Sequence, residues 1–330
     1  MHNFPYQKIL VVRLSSLGDI LLTSPLIRSL KNANPKLEIH FLLREEYQDV
    51  LINNPYLSKL ITIKREDSSS KTKDILSQNK YDFVIDLQNN LRSRVLTYSL
   101  KCPKVRFRKL SCQKFLLVKF KINKLHEAPP IPERYASIID ELRLDDEGLD
   151  LFTDKKPSEK LGGITNLIGF CPGSRHYTKM WLKEYYIELG EKIIDNGFNL
   201  VLFGGKDDKI ICDGISSNVS KCINLCNDDD ILQTAADMKK CKTIICNDSG
   251  LMHAACAVKV PVIAIFGSTV SEFGFTPYHS KNLILENKSL TCRPCSHIGK
   301  SSCPKGHFKC MKEITPQLVH NSLIRFLDKS

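Results

Sequence analysis

Residues 8–31 read KILVVRLSSLGDILLTSPLIRSLK. Lys8 to Arg13 is a short apolar run rich in β-branched residues, and the turn Leu14-Ser-Ser-Leu-Gly18 follows it, so the run reads as a buried strand delivered into a loop. From Asp19 onward the apolar positions Leu22, Leu26 and Leu30 recur at helical spacing, with Ile20 and Ile27 on the same side. Asp19 stands where a helix N-cap is expected, and Pro25 either kinks the helix or restarts it with Ser24 as a new cap.

The same grammar continues outward. Strands are expected at Leu37 to Leu43, Lys59 to Ile63 and Asp82 to Asp86, separated by helical or turn-rich segments such as Arg44 to Asn53. Residues 125–160 hold Pro129, Pro130 and Pro132, a helix-like stretch around Tyr135 to Leu142, and a polar run, which places a domain boundary near 155. Beyond it, strands are expected at Leu167 to Cys171, Leu200 to Phe203, Ile223, Thr243 to Cys246 and Val260 to Phe266. Helices are expected from Trp181 to Asn196, from Asp207, from Asp228 and after Ser249, with a last amphipathic one from Pro316 to about Leu327. Strands alternating with helices imply parallel sheets covered on both faces, hence two α/β domains, 1–155 and 156–330.

With 42% hydrophobic and 25% charged residues the chain has a globular composition, and its 330 residues suit two domains rather than one or three. The opening residues lack a secretory signal pattern, and no run approaches the ~20 apolar residues of a membrane span, so a cytoplasmic location is expected. The net charge of +12 favours an anionic partner. Residues 101–125 carry nine Lys/Arg and no Asp or Glu, interleaved with Phe107, Phe115 and Phe120, which suits either an anionic surface or an ordinary solvated basic face. No nucleic-acid recognition motif accompanies the charge.

In open parallel sheets ligands sit beyond the carboxyl ends of the strands, which singles out four loops: Ser15 to Asp19, Pro172 to Lys179, Asn247 to His253, and Gly267-Ser268-Thr269. The third ends a strand and opens a helix, so the amides of Ser249, Gly250 and Leu251 would converge at the positive helix end, a geometry that binds phosphate. Asp-Ser-Gly is equally a common turn and cap. Arg175, His176 and Lys179 could neutralise a leaving diphosphate, replacing the metal ion that many sugar-nucleotide enzymes use. Asp19 suits a general base as well as a cap. The absence of a G-x-G-x-x-G fingerprint argues against a dinucleotide-dependent dehydrogenase.

Residues 8–31, with PGSRHYTKMW, VLFGGKDD, NDSGLMHAA and GSTVSEFGFTP, resemble the ADP-heptose:lipopolysaccharide heptosyltransferases, glycosyltransferase family nine. Arg13 to Asp19 is more like the enzymes that add the first or third heptose, and NDSGLMH followed by FTP is more like those that add the second. The resemblance implies a GT-B architecture, two Rossmann-like doubly wound domains facing a central cleft, with the acceptor on the N-terminal domain and ADP-heptose on the C-terminal one. It implies inverting, metal-independent transfer of heptose to an inner-core sugar of a lipid-linked acceptor at the inner-membrane surface. Asp19 would be the base and Lys179 would hold donor phosphate. Ser249, Gly250 and Leu251 would form the amide cradle, flanked by Asp248, His253 and Ser268. Arg92, Arg106 and Arg108 are the expected acceptor contacts, and either Asp207 or Asp208 the acidic residue near the nucleoside. The alternatives are a catalytically inactive nucleotide- or lipid-surface-binding module and a transferase using another nucleotide sugar.

Nine of the thirteen cysteines are scattered, and the last four, Cys292, Cys295, Cys303 and Cys310, form a cluster with His297 and His307 nearby. The cluster has ligands enough for a structural zinc, but its second pair is looser than a CxxC knuckle. Reduced thiols packing the 292–310 loop, a structural metal, and a disulfide or redox pair all fit the spacing.

Overall fold

The computed structural model describes residues 4–328. The chain forms two compact units. The first unit contains β1 (Lys8–Val12), α1 (Leu17–Leu21), α2 (Ser24–Ala33), β2 (Glu38–Arg44), β3 (Lys59–Ile63), α3 (Ser69–Ser77), β4 (Phe83–Asp86), α4 (Leu91–Thr97) and β5 (Lys104–Arg106). The chain leaves this unit after Lys109, and Leu110–Ala128, which contains α5 (Ser111–Phe120), belongs to the second unit. Pro129–Phe152, with α6 (Ile131–Ala136), returns to the first, and the second resumes at Thr153.

All strand pairs in the first sheet are parallel, in the order β3-β2-β1-β4-β5. Its core is built from the residue types that made the opening run readable as a strand: Leu10, Val12, Leu42, Ile61 and Val84 pack into one buried cluster. Pro25 restarts the helix rather than kinking it, with Thr23 as N-cap of α2. The 145–150 segment is tied back by Arg28, whose guanidinium binds the Asp145 and Asp150 carboxylates and donates to the Gly148 carbonyl at 2.9 Å.

The second unit continues with β6 (Leu167–Cys171), α7 (Lys183–Asp195), β7 (Asn199–Leu202), α8 (Lys209–Ser216), β8 (Cys222–Asn224), α9 (Ile231–Met238), β9 (Cys241–Asn247), α10 (Gly250–Ala257), β10 (Val262–Phe266), β11 (Asn282–Glu286), α11 (Lys309–Lys312) and α12 (Pro316–Asp328). Its six strands are again all parallel, in the order β11-β10-β9-β6-β7-β8. Trp181, Tyr186, Phe170 and Ile245 anchor the core against α7 and α12.

The basic 110–128 stretch joins this unit for identifiable reasons. Leu117, Leu125 and Phe273 form a small apolar cluster, the Lys121 ammonium donates to the Pro294 carbonyl at 2.6 Å, and Lys114 lies 5.6 Å from the Phe275 ring centre. Phe107, by contrast, is buried in the first unit, whereas Phe115 and Phe120 are exposed. No described helix is long and apolar enough to cross a membrane.

Both sheets are doubly wound. In each the strand order reverses at one place, between β1 and β4 in the first and between β6 and β9 in the second. Outside the carboxyl ends at such a reversal the flanking crossovers diverge to opposite faces and leave a crevice for ligands. The loops after β1 and β4, and those after β6 and β9, are therefore where chemistry is expected.

Candidate active site

At the reversal of the first sheet, Arg13 follows the last residue of β1 and lies almost fully buried. Its Nε donates to the Ser15 carbonyl at 2.8 Å, Nη1 to the Leu87 carbonyl at 2.8 Å, and Nη2 pairs with Asp19 Oδ1 at 2.5 Å. From the other side of the reversal Gln88 Oε1 accepts the Leu14 amide at 2.8 Å and the Ser15 amide at 3.3 Å, so the loops after β1 and β4 hold one another. Asp19 is not the N-cap expected from the sequence. Ser16 takes that place, and Asp19 sits at N3, where Oδ2 accepts the Ser16 amide at 3.2 Å and its hydroxyl at 2.8 Å. Burial works to raise the Asp19 pKa, but the Arg13 charge and the Ser16 bonds outweigh it and hold the carboxyl below the ordinary aspartate range.

Asp86, at the end of β4, is fully buried, accepts from the Asn89 amide at 2.7 Å and the Ser93 hydroxyl at 2.8 Å, and lies 3.8 Å from Arg106 Nε. Lys109 lies in the same field, and burial followed by the Arg13 charge lowers its pKa. The three arginines expected at the acceptor have different surroundings. The Arg92 guanidinium already donates to the carbonyls of Arg65 and Lys64 at 3.0 Å and of Asp67 at 3.3 Å. Arg106 is half-buried beside Asp86, and Arg108 is exposed.

At the reversal of the second sheet three loops meet. Asn247 ends β9, and its amide group donates to the Pro172 carbonyl at 2.7 Å while its Oδ1 accepts the Trp181 amide at 2.9 Å, clasping the loop after β6. Lys179, carried by that loop, pairs with Asp248 Oδ2 at 2.8 Å, and the same oxygen accepts the Thr269 hydroxyl at 2.6 Å from the loop after β10. Ser249 caps α10 with extended backbone, so the amides of Gly250 and Leu251 open the helix and have no intrahelical acceptor. The Ser249 and Ser268 hydroxyls are buried without a hydrogen-bond partner in the protein. A buried hydroxyl without a partner costs about 1–3 kcal/mol, so two of them beside a helix start and a lysine describe a place prepared for an acceptor-rich ligand such as phosphate.

Around this set, His253 is buried one turn into α10, and Arg175 is exposed. The His176 pKa is lowered by burial and then by the Lys179 and Arg175 charges, which favours its neutral form. Asp208 accepts the Gly205 amide at 3.1 Å and abuts Gly173 so closely that a Cβ there would fall 1.9 Å from Asp208 Oδ1, while Asp207 is exposed. Burial raises the Asp208 pKa. All thirteen cysteines are unpaired thiols. Cys292 Sγ lies 3.8 Å from His307 Nε2, burial pushes the Cys310 thiol up to about 11, and among the described residues no three His, Cys, Asp or Glu side chains gather as a metal-binding group.

Sequence reasoning singled out the Gly267 to Thr269 loop without giving Thr269 a role, and it missed Arg13 and Gln88. The loop after β4 could have been found from the strand-end rule alone, since Asp86 closes an apolar run two residues before Gln88.

The family model described as glycosyltransferase family 9 (heptosyltransferase) matches residues 70–305. The chain belongs to glycosyltransferase family 9. It is 28% identical to lipooligosaccharide heptosyltransferase 2 of Haemophilus ducreyi, over 97% of this chain and 99% of that protein. The structure is similar to that of the E. coli ADP-heptose lipopolysaccharide heptosyltransferase II, with a TM-score of 0.74, 25% identity, and 98% and 99% of the two chains covered. A family 9 glycosyltransferase from Veillonella parvula has the same fold, with a TM-score of 0.78 at 24% identity over 98% of each chain. This family 9 chain is thus a glycosyltransferase with two parallel-sheet α/β units of the GT-B class.

Proposed function

We propose that the enzyme transfers a heptose, with inversion, from ADP-heptose to an inner-core sugar of a lipid-linked acceptor, without a divalent metal, at the cytoplasmic face of the inner membrane. The second unit takes the donor and the first takes the acceptor. The observation that carries this reading is the Lys179–Asp248–Thr269 set beside the unpartnered Ser249 and Ser268 hydroxyls at the start of α10. As the glycosidic bond to the donor breaks, negative charge collects on the departing diphosphate. A fixed ammonium and a helix N-terminus stabilise that charge more in the transition state than in the ground state.

On the acceptor side Asp19, ionised at neutral pH by its Arg13 and Ser16 contacts, accepts the proton of the attacking hydroxyl. Arg106 and Arg108 supply charge for anionic groups of the acceptor, and the exposed Phe115 and Phe120 on the lysine-rich 110–128 stretch suit the lipid surface on which that acceptor is carried. The likeness to heptosyltransferase 2 proteins supports the donor and the acceptor class.

The test is to incubate the purified enzyme with ADP-heptose, ADP-glucose, UDP-glucose and GDP-mannose, with and without a deacylated inner-core acceptor, and to follow nucleotide release. Release from ADP-heptose alone, stimulated by the acceptor, is expected. Turnover of a uridine or guanosine donor in its place would sink the assignment.

A further inference from the structure

Arg293 has no place in the chemistry described above, yet its side chain is 4% exposed and every nitrogen of its guanidinium is engaged. Nε donates to the Gly267 carbonyl at 2.6 Å and Nη1 to the Asn287 carbonyl at 2.5 Å. Nη2 donates to the carbonyls of Thr269 at 2.8 Å and Phe266 at 3.3 Å, and pairs with Glu286 Oε2 at 2.8 Å. Two of these acceptors, Gly267 and Thr269, belong to the turn after β10 that carries Ser268 and Thr269, and a third, Phe266, is the last residue of that strand. Only a planar fork with donors on three nitrogens can reach so many carbonyls at once; the single ammonium of lysine cannot.

The same segment grips the Lys179 loop. The Cys295 amide donates to the Ser268 carbonyl at 3.2 Å, the Ser268 amide to the Thr178 carbonyl at 3.2 Å, and the Thr178 amide to the Lys300 carbonyl at 3.0 Å. The Lys300 amide returns to the Thr178 hydroxyl at 2.8 Å. The packing here is tight enough to require glycine at 267, where a Cβ would fall 2.5 Å from Met311 Cε and 2.9 Å from the Thr178 carbonyl oxygen. Residues 293–300 therefore bind two loops together at the point where Thr269, Asp248 and Lys179 form their chain of contacts.

We propose that Arg293 is the positioning residue of the donor-phosphate site: through the carbonyls of residues 266–269 it fixes Ser268 and Thr269, and through Thr269 and Asp248 it fixes the Lys179 ammonium. This gives the cysteine-rich loop a function, that of a brace for the donor site. The proposal rests on the reading of that site as a diphosphate pocket, and the experiment separates the two.

Hydrogen exchange is measured on the ligand-free full-length enzyme carrying Arg293→Lys, and ADP affinity on the same protein. Lysine keeps the charge beside Glu286 and loses the fork. Amides of residues 266–270 and 176–181 should exchange at least about tenfold faster while those of β6 and β7 stay unchanged, because only the local opening becomes easier. The dissociation constant for ADP should rise about tenfold, the effect of losing charge-assisted bonds that fix the loop. Unchanged exchange in both loops overturns the proposal, and so does faster exchange spread evenly over the whole unit, which would make Arg293 a general stabiliser. If the lysine variant does not fold, Glu286→Gln carries the test. It releases one anchor of the guanidinium, both loops should exchange about two- to fivefold faster, and unchanged exchange there would again overturn the proposal. Failure of the unaltered enzyme to bind ADP would remove the diphosphate reading and leave the exchange result to decide the brace.

Discussion

Arg13 and Asp19 meet across a single turn, Arg13 just past β1 and Asp19 in the first turn of α1, whereas Lys179 and Asp248 come from the turns after β6 and β9 and are joined by Thr269 from a third. Both pairs occupy the reversal of strand order in their sheet. They differ in what is left over. Around Asp19 each carboxylate oxygen has a partner and the amides of Leu14 and Ser15 are satisfied by Gln88. Around Asp248 two hydroxyls are buried without partners. A carboxylate whose immediate neighbours are satisfied, as those of Asp19 are, is held in shape by the protein alone, which suits the base role proposed for it; farther out, beside Asp86, Arg106 Nε is buried without a hydrogen-bond partner. A site with orphaned groups is completed by what it binds.

The sharpest way to break this contrast is Asp19→Asn. Asparagine keeps one oxygen for Ser16 and loses the ion pair with Arg13, so transfer should fall about 10²–10⁴-fold, the usual contribution of a positioned base. Stability should fall by about 1–3 kcal/mol as the nearly buried guanidinium loses its counter-charge. ADP affinity should hardly change, because the proposed nucleotide site is built by the other unit. The pH dependence follows from the sign of the shift. The folded pKa of Asp19 is depressed, so its stabilising contribution is fully present above the unfolded aspartate value of about 4 and disappears as pH falls through the lower folded value. Melting of the unaltered protein and the variant should therefore converge below about pH 4, and the acid limb of kcat/KM should not lie at pH 5–6 on account of this residue. A near-normal rate for the asparagine variant would leave Asp19 a structural residue.

That expectation also shows where sequence reading succeeded. Lys59–Ile63 and Leu167–Cys171 were legible to the residue, because a β-branched or apolar run bounded by turn residues leaves one reading, whereas Pro25 left a kink and a restart both open, and the restart is capped by Thr23 rather than by Ser24. The cap at Asp19 was misassigned since Ser16 and Asp19 are three apart and satisfy each other reciprocally; either alone looks like a cap. The strands Lys104–Arg106 and Asn282–Glu286 went unseen: they are short edge strands whose formation depends on a neighbour already in place. α5 was hidden because its apolar residues lie on no single face, and half of them remain exposed. Thr269 lay in a loop that the strand-end rule singled out, but its partner Asp248, like the groups that Arg293 binds, is brought to it by the fold, which no local pattern encodes.

A smaller effect, and a finer test, concerns Lys179. Lys179→Ala removes the cation proposed to meet the leaving diphosphate and leaves Asp248, whose side chain is 7% exposed, as an uncompensated negative charge in the same place. Transfer should fall about 10²-fold, and ADP binding about tenfold through charge repulsion. Adding Asp248→Asn should restore most of the ADP affinity and little of the rate, since it removes the repulsion without restoring the ammonium. Recovery of both together would place Lys179 in binding only, and the second site would then resemble the first in being held by its own ion pair.

The smallest expected effect is that of chelation. Arg175, His176 and Lys179 lie on one loop, and the start of α10 faces the same chain of contacts, so the positive end of the site is built from the protein's own groups. The 292–310 loop is held by groups of the protein itself: Arg293 binds four carbonyls and Glu286, Lys121 binds the Pro294 carbonyl, and Lys300 is bonded twice to Thr178. Preincubation with EDTA and then with a stronger zinc chelator should leave the transfer rate within about twofold, and removing zinc from the cysteine cluster, should elemental analysis find it there, should lower the melting temperature before it lowers the rate. Loss of transfer by a fully folded, chelated enzyme, restored by magnesium or manganese, would move the charge on the diphosphate from Lys179 and α10 to a metal, and with it the explanation for the two unpartnered hydroxyls.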